Sequence, residues 1–303
     1  MKKTFYSNGK LLITGEYLVL DGAKALALPT KFGQNLIVEQ GSNNEIVWKS
    51  YDADDSIWFQ DTILFTDIME PKVHSESVKS TLIKILHEAY LMNPQFLNSS
   101  SGYTISTQLS FPKKWGLGTS STLINNIAEW ACIDAFKLLN SSFGGSGYDI
   151  ACAQNDTPIV YSLKEGKPIV QNITFDPDFS ENIYFVYLNK KQSSKTAIAN
   201  YQDNKSSHLE KSIAKINRFT AEIILSTKIE TFERAIEKHE AEMSHVLETS
   251  TIKETLFPDF NGQIKSLGAW GGDFVMVTSQ VNPKAYFHSK GFDTLLSYEE
   301  IIL

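Results

Sequence analysis

A glycine- and hydroxyl-rich stretch, GLGTSS at residues 116–121, directly precedes a long helical run. Glycines let the backbone approach a phosphate closely, and the N–H groups and dipole of a helix start favour negative charge. A hydroxyl in the same turn can reach a metal ion. Thr119, Ser120 and Ser121 also suit a simpler role, because each is an acceptable N-cap residue. The stretch has neither the Walker spacing nor the GxGxxG spacing, so it leaves phosphate binding and helix capping equally open.

Three more glycine-centred segments contain residues that could do chemistry: GKLLITGEY at 9–17, GSGYDIA at 145–151 and GAWGGD at 268–273. Each has an ordinary structural interpretation. Lys10 could be a solvated lysine at the end of a strand, Asp149 could be a turn or N-cap aspartate, and the glycines of the last segment could form a hairpin. One segment alone decides nothing, but four in a fixed order are unlike a chance arrangement.

In chain order, these segments resemble the motifs of the GHMP kinase superfamily, nearly from end to end of the chain. Residues 9–17 are most similar to mevalonate and phosphomevalonate kinases. The GYDIA piece resembles the substrate-site segment of phosphomevalonate kinases and also marks a less characterised branch. The resemblance implies an α+β GHMP kinase fold, with an N-terminal half like the second domain of ribosomal protein S5 and a ferredoxin-like C-terminal half. We expect an ATP-binding domain at 1–170 and a second domain at 171–303.

The resemblance also implies roles for individual residues. Asp149 would orient or deprotonate the acceptor oxygen, Lys10 would neutralise charge nearby, and Ser120 would face Mg²⁺. The residues expected to hold the ATP phosphates are Lys114, Gly116, Leu117, Gly118, Thr119, Ser120 and Ser121. Those expected around the acceptor are Glu16, Ser146, Gly147, Tyr148, Lys191, Ser194, Lys195, Gly268, Ala269, Gly271 and Gly272. Such a set suits phosphoryl transfer, which depends mainly on positioning and charge neutralisation.

Several positions depart from the superfamily pattern. Lys114 stands where a glycine is usual, and Trp270 replaces a glycine, so its ring must either point away from the loop or narrow the pocket. No residue in KLLNSSFGGSG, at 137–147, matches the glutamate that binds Mg²⁺ in mevalonate kinases. Metal binding would then rest on Ser120, the nucleotide and water, as Mg²⁺ tolerates. This reduced set, together with Asp273, favours the phosphomevalonate kinase branch.

A basic loop, KKQSSKT at residues 190–196, follows a predicted strand. Such a run is ordinarily a solvated loop. Its position resembles the segment that contacts acceptor anions in these kinases, where Lys190, Lys191 or Lys195 would act as point charges. We therefore expect an ATP- and Mg²⁺-dependent kinase for mevalonate or 5-phosphomevalonate. A GHMP-fold protein that binds nucleotide or metabolite without catalysis, a kinase for another small alcohol and the related decarboxylase remain alternatives.

Composition limits the other function classes. The 303 residues can form one large domain or two ordinary ones, and a net charge of −7 argues against a general nucleic-acid binder. The first twenty residues predict a strand pair rather than a signal peptide, and no apolar run is long enough for a membrane helix. Cys132 and Cys152 lack metal-ligand spacing, so we expect a reduced, cytoplasmic compartment. A small molecule is the expected partner, and both a monomer and a homodimer are compatible with the sequence.

The elements that must position these residues are predicted strands near the start of the chain and predicted helices further along it. LLITGEYLVL, ALALPT, QNLIVEQ and EIVWKS predict strands within the first 60 residues. Apolar spacing predicts helices at 77–91 and 120–139, with Cys132 in the apolar interior of the second. Two polar, helix-periodic stretches at 207–226 and 229–248 predict a helical hairpin. The irregular order of strands and helices predicts an α+β fold rather than a doubly wound sheet.

Overall fold

Residues 2–72, 77–191, 194–203, 205 and 208–303 are described by a computed structural model of the chain. Two units are each assembled from separate stretches. The first unit contains Met1–Gly9, Phe32–Lys113 and Leu117–Gln154, and the second contains Lys10–Lys31, Lys114–Gly116 and Asn155–Leu303. These units interleave along the chain, whereas the predicted division between residues 170 and 171 is a single cut. That domain boundary stays a prediction.

A mixed sheet forms one layer of the first unit. The strands of this part of the chain are β1 (Lys2–Leu12), β2 (Ala25–Gln40), β3 (Glu45–Tyr51), β4 (Ile57–Leu64) and β5 (Tyr103–Leu109). β4 pairs antiparallel with β3, β3 pairs parallel with β5, and β5 pairs antiparallel with the C-terminal half of β2. Within β3, Ile46 and Trp48 are buried and Lys49 is exposed, as expected for a strand with one face on a core. β1 pairs with β2.

Helices form the other layer of the first unit, and their apolar residues join those of the strands in one core. These helices are α1 (Phe65–Met69), α2 (Val78–Met92), α3 (Gln95–Asn98), α4 (Thr119–Ala131), α5 (Ala135–Ser142) and α6 (Tyr148–Ala153). The helical periodicity predicted at 77–91 is confirmed in α2, whose buried face carries Leu82, Ile85, Leu86 and Ala89.

Two predicted elements are wrong in extent. The strand expected over LLITGEYLVL ends at Leu12, because the left-handed backbone at Gly15 (φ 83°) and Tyr17 (φ 57°) cannot continue a strand. The helix expected at 120–139 is broken, since Asp134 accepts hydrogen bonds from two N–H groups of the next turn and begins α5. Cys132 is therefore not a core residue. It ends α4 with φ 54° and is exposed.

The second unit contains two sheet regions. Its strands are β6 (Ile159–Lys164), β7 (Lys167–Asn172), β8 (Ile183–Tyr187), β9 (Ile264–Ser266), β10 (Phe274–Thr278) and β11 (Leu295–Ser297). The N-terminal end of β2 pairs antiparallel with β6, and β6 pairs with β7. The other region is an antiparallel sheet in the order β11-β8-β10-β9, with Met276 opposite Phe185 on one side and Lys265 on the other.

The helices of the second unit include the predicted hairpin. They are α7 (Ser194–Asp203), α8 (Leu209–Ile224), α9 (Ile229–Leu247), α10 (Ile252–Leu256), α11 (Lys284–Ser289) and α12 (Tyr298–Ile301). α8 and α9 confirm the two helix-periodic stretches, and together with the antiparallel sheet they agree with a ferredoxin-like half. In the part of the chain that the structure describes, no helix is both long and apolar enough to cross a lipid bilayer.

Candidate active site

The helix that follows the glycine stretch begins without a side-chain cap. Its N-cap is Gly118, at φ 103°, and the helix starts at Thr119. The hydroxyls of Ser121 and Thr122 donate back to the Gly118 carbonyl at 2.9 and 3.0 Å. The N-cap position itself is a glycine, so none of Thr119, Ser120 and Ser121 caps this helix. The helix-capping role that the sequence left open for Thr119, Ser120 and Ser121 is therefore not seen in the structure.

Two hydroxyls remain at the start of α4. Ser120 is exposed, whereas Thr119 Oγ1 is buried and has no hydrogen-bond partner among the described residues. A buried hydroxyl without a partner costs roughly 1–3 kcal/mol, so a ligand that supplies an acceptor there would be stabilised. The positive end of the helix dipole adds to the attraction for an anion. The donor set fits a phosphate group, with Ser120 available to a metal ion.

Buried polar side chains fix the direction of α4 within the first unit. Ser7 Oγ donates to Asn126 Oδ1 at 2.8 Å and accepts from Asn125 Nδ2 at 2.9 Å. Thr122 Oγ1 shares its single proton between the Gly118 carbonyl and Gln34 Oε1, which lies 2.7 Å away. These bonds join α4 to β1 and β2 and specify its orientation more narrowly than apolar packing alone. Sequence reasoning missed this network, although two adjacent asparagines inside an apolar run were a signal.

Asp149 lies in the first turn of α6. The helix begins after Gly147, whose φ of 89° favours glycine, and Asp149 Oδ1 accepts from the N–H of Ile150 at 3.1 Å. Asp149, Ser146 and Tyr148 are half-buried. Ser146, Gly147, Tyr148 and Asp149 are consecutive in sequence. These four predicted site residues therefore lie together at the start of α6.

In the second unit, three glycine segments that are distant in sequence meet around Gly116. Lys10 Nζ donates to the Gly116 carbonyl at 3.0 Å. A Cβ on Gly116 would lie 2.3 Å from Asp273 Oδ2, and the φ of 72° is itself unfavourable for other residues. Tyr187 Oη donates to the Lys114 carbonyl at 3.0 Å, and the Trp115 ring packs edge-on against Phe274. Three of the glycine segments that suggested a site in the sequence therefore contact one another within this unit.

The basic loop is only partly described. Asp273 N–H donates to the Lys190 carbonyl at 2.7 Å, which ties the third glycine segment to the start of this loop. Burial, and to a lesser extent the charge of Asp273, raise the pKa of Tyr187. Lys114, Lys190 and Lys191 are exposed. The side chains of Ser194 and Lys195 lie outside the described residues.

A cavity of about 580 Å³ lies within the second unit. Its walls include Tyr17 from the first glycine segment, Trp270 from the third and Tyr201 from α7. The Trp270 backbone N–H donates to Tyr17 Oη at 3.1 Å, and the rings of Tyr17 and Tyr201 are 5.6 Å apart. Trp270 therefore lines a cavity together with Tyr17 and Tyr201. The volume is typical of a pocket for a small organic molecule.

Glu16, predicted to contact the acceptor, lies in a buried cluster. Its side chain is completely buried and its carboxylate accepts a hydrogen bond from Lys265. Lys265 Nζ also lies 3.1 Å from Glu240 Oε1, and Ser266 Oγ donates to Glu240 Oε2 at 3.1 Å. His239 Nε2 accepts the backbone N–H of Gly15 at 3.2 Å.

The charges in this cluster are unequal, because one lysine faces two carboxylates. Burial raises the pKa of Glu16 to about 7, against the opposing effect of Lys265, and burial also raises the pKa of Glu240. Burial alone would lower the pKa of Lys265, but the two carboxylates outweigh it and raise that pKa. Burial and the charge of Lys265 hold the pKa of His239 well below its ordinary value.

Ligand atoms of Glu16, His239 and Glu240 lie within 4.8 Å of one another, a spacing that could hold a metal ion. The ammonium of Lys265 already contacts both carboxylates, however. A divalent cation at the same place would have to displace this buried charge. The cluster is therefore an internal ion-pair network and not a metal centre.

No family model and no curated protein matches the sequence. Solved structures match almost the whole chain. Mevalonate kinase from Methanococcus jannaschii aligns with a TM-score of 0.70 and 14% identity over 98% of both chains. Phosphomevalonate kinase from Streptococcus pneumoniae, in complex with phosphomevalonate and AMPPNP, aligns at 0.70 and 13% over 97% of this chain and 99% of its own. Galactokinase from Lactococcus lactis, complexed with galactose, aligns at 0.67 and 11% over 95% and 88%.

This chain has the GHMP kinase fold. The α+β class and the resemblance predicted from the glycine segments are thereby confirmed at the level of fold. Structures of this fold with different acceptors in their names align about equally well, so the comparison does not distinguish the acceptor. Within this GHMP kinase fold, the residues that sequence reasoning missed are His239, Glu240, Lys265 and Tyr201, none of which lies in a glycine segment.

Proposed function

We propose that the protein is an ATP-dependent phosphotransferase that acts on a small alcohol, with mevalonate or 5-phosphomevalonate as the acceptor. The observation that carries this proposal is the meeting of three glycine segments at Gly116, where Lys10 and Asp273 approach the same backbone position. Phosphoryl transfer needs backbone donors, a positive charge and a carboxylate in fixed positions more than it needs covalent chemistry. The GHMP kinase fold adds support.

The start of α4 is the proposed phosphate site. Its uncapped first turn directs backbone N–H groups and the helix dipole at an anion, and the unsatisfied hydroxyl of Thr119 can donate to a phosphate oxygen. Ser120 is the proposed metal-facing hydroxyl. Mg²⁺, when bound, neutralises charge on the phosphate oxygens. Lys10 adds a second positive charge to this task.

The acceptor binds in the cavity lined by Tyr17 and Trp270. Asp149 is the residue that the resemblance to GHMP kinases implies for orienting the acceptor hydroxyl and accepting its proton as the oxygen bonds to the γ-phosphorus. The bond between that phosphorus and the bridging oxygen of ADP breaks, and ADP leaves with the bridging electrons. The products are ADP and the phosphorylated alcohol.

A second candidate is a kinase of the same type for another small alcohol. Trp270 favours it, because this bulky ring lines the cavity at a position where the resemblance expects glycine. A narrower, aromatic pocket would select a differently shaped acceptor by excluding bulkier groups. The two candidates share the chemistry and differ only in the molecule that enters the cavity.

The direct test is a measurement of ADP release by pure protein with ATP and Mg²⁺. Mevalonate, 5-phosphomevalonate, galactose and a broad panel of small alcohols serve as acceptors. We expect acceptor-dependent ADP release with a member of the panel, and turnover with mevalonate or 5-phosphomevalonate would support the finer proposal. Tight ATP binding by calorimetry without any turnover would instead indicate a non-catalytic binding protein. Release of carbon dioxide from diphosphomevalonate would indicate a decarboxylase.

A further inference from the structure

Two successive residues directly before Tyr17 are held by buried side chains from distant parts of the second unit. The N–H of Gly15 donates to His239 Nε2, at 3.2 Å, and the carboxylate of Glu16 accepts from Lys265. His239 belongs to α9 and Lys265 to β9. Glu16, His239 and Lys265 are all completely inaccessible to solvent. Glu16 Oε1 and His239 Nε2 therefore act on the protein itself and not on a bound molecule.

Tyr17 has a backbone conformation that requires such support. Its φ of 57° and ψ of −49° are rare for a residue with a side chain, and such strain persists only where surrounding contacts fix it. The preceding residue pair also accepts the first hydrogen bonds of the next turn. Leu18 N–H donates to the Glu16 carbonyl at 2.5 Å and Val19 N–H to the Gly15 carbonyl at 2.9 Å. Because the carbonyls of Gly15 and Glu16 accept from residues that follow Tyr17, anchoring these two residues restrains the backbone on both sides of Tyr17.

The ring end of Tyr17 faces the cavity. Tyr17 Oη accepts the backbone N–H of Trp270 at 3.1 Å, and both residues line the same wall. If Tyr17 relaxed to an ordinary φ, its side chain would change direction and this bond would break. The cavity wall therefore depends on the buried anchors behind it.

We propose that His239, Lys265 and Glu240 are positioning residues that hold Gly15 and Glu16 so that Tyr17 keeps its strained backbone and shapes the cavity for the acceptor. Glu16 takes part in the same network, and its role is support rather than contact with the acceptor. Glu240 acts through Lys265, because Glu240 Oε1 lies 3.1 Å from the Lys265 ammonium that also contacts Glu16. The link to acceptor binding rests on the proposed function, whereas the link to the conformation of Tyr17 does not.

Two substitutions at His239 separate support from simple packing. In His239→Gln the amide oxygen can still accept the Gly15 N–H, whereas His239→Leu fills similar space without an acceptor. We expect His239→Leu to raise the KM for the acceptor by roughly ten-fold or more, as misplaced binding groups do, with little change in the KM for ATP. His239→Gln should restore most of the loss. Equal acceptor KM values for wild type and His239→Leu, or equal effects of both variants, would overturn the proposal.

Hydrogen exchange provides a readout that needs no acceptor and so separates failure of this proposal from failure of the proposed function. In His239→Leu, the amides of residues 15–19 and of Trp270 should exchange faster than in wild type and in His239→Gln, while amides of β10 stay protected. Unchanged exchange at Trp270 would contradict the role assigned to the network.

A second variant keeps the test decisive if His239→Leu is too unstable for these measurements. Glycine adopts a φ of 57° with a ψ of −49° at a lower cost than tyrosine, so the support should matter less in a Tyr17→Gly background. The loss of Tm caused by His239→Leu should then be smaller in Tyr17→Gly than in the wild-type sequence. An equal or larger loss would show that His239 does not act through the Tyr17 backbone.

Discussion

The start of α4 and the Gly15–Tyr17 segment are both predicted site regions, but their polar groups are used in opposite ways. α4 begins at a glycine without a side-chain cap, exposes Ser120 and leaves Thr119 Oγ1 without a partner among the described residues. At the Gly15–Tyr17 segment, the N–H of Gly15 and Oε1 of the Glu16 carboxylate are bound by buried side chains. Under the proposed function, the donors of the first region bind a ligand, whereas the bonded polar groups of the second region hold that segment in place.

The difference shows how to separate ligand contacts from their support. A group that binds phosphate must keep donors without internal partners and remain reachable, even though this destabilises the free protein. A group that positions a wall can be buried, because its partners belong to the chain. Substitutions in the first region should therefore change nucleotide use, and substitutions in the second should mainly change stability and acceptor binding.

The largest expected effect is that of Lys265→Met. It leaves two buried carboxylates without their shared cation, and breaking a buried ion pair in this way costs about 3–5 kcal/mol. Denaturant unfolding should show this loss. Lys290→Met is the control, since Lys290 pairs with Asp259 at the surface and such pairs contribute about 0–1 kcal/mol. Similar losses in the two variants would mean that the cluster is not the support we infer.

The pH dependence of stability should show the charge imbalance around Glu16. Its pKa is raised from 4.5 to about 7 in the folded protein, so the folded state binds the proton more tightly than the unfolded chain. This contribution is fully present below pH 4.5 and is lost as the pH rises through about 7. A shift of this size corresponds to about 3 kcal/mol.

Glu16→Gln removes this titration and is therefore the matched comparison. From pH 4.5 to pH 7.5 the free energy of unfolding should fall more steeply in wild type than in Glu16→Gln, by roughly that amount. Glu240 has a raised pKa and His239 a lowered one, so both leave a residual slope in both proteins, whereas the raised pKa of Lys265 keeps that group charged throughout this range. Parallel pH profiles would contradict the raised pKa of Glu16.

Gly116→Ala tests the crowded side of the phosphate region. Its Cβ would lie 2.3 Å from Asp273 Oδ2, so the loop or the aspartate must move. We expect the KM for ATP to rise by roughly ten-fold. Gly144→Ala is the control, because Gly144 has a similar φ of 82° with no atom within 4 Å of its Cβ. That variant should lose about 1 kcal/mol from backbone strain and keep its KM for ATP. An unchanged KM in Gly116→Ala would show that its contact with Asp273 is irrelevant to nucleotide binding.

The smallest effect is expected for Ser120→Ala. Mg²⁺ keeps most of its ligands from nucleotide and water, so the loss of one hydroxyl should raise the KM for Mg·ATP only a few-fold. High Mg²⁺ should partly rescue the variant. Ser121→Ala provides the comparison, because its hydroxyl is committed to the Gly118 carbonyl at 2.9 Å and should not affect the Mg²⁺ dependence. Identical Mg²⁺ titrations of the two variants would remove Ser120 from the metal site.

The sequence predicted the parts of this molecule that are encoded locally. The α8–α9 hairpin follows from helical periodicity, and the helix start after GLGTSS follows from its glycines and hydroxyls. The break at Cys132 was missed because the apolar periodicity continues through it, although Asp134 is an N-cap residue. The residue types in the glycine segments also indicated chemistry before any contact was known.

The supporting cluster could not be predicted in the same way. Glu16 and Lys265 are 249 positions apart, and Gly15 and His239 are 224 apart. Neither helical nor strand periodicity carries information over such distances. A lysine in a three-residue strand and a histidine in a polar helix are ordinary on their own. Only the fold shows that they meet behind Tyr17.

The most direct test of the central claim is acceptor-dependent ADP release by the wild type and by Asp149→Asn. The substitution preserves shape and removes charge and basicity, so kcat should fall by roughly 10²-fold or more while the KM for ATP changes little. Circular dichroism and Tm establish that the variant is folded. Near-normal turnover by a folded Asp149→Asn, or no acceptor-dependent ADP release from the wild type with any small alcohol tested, would contradict an ATP-dependent phosphotransferase that uses this aspartate.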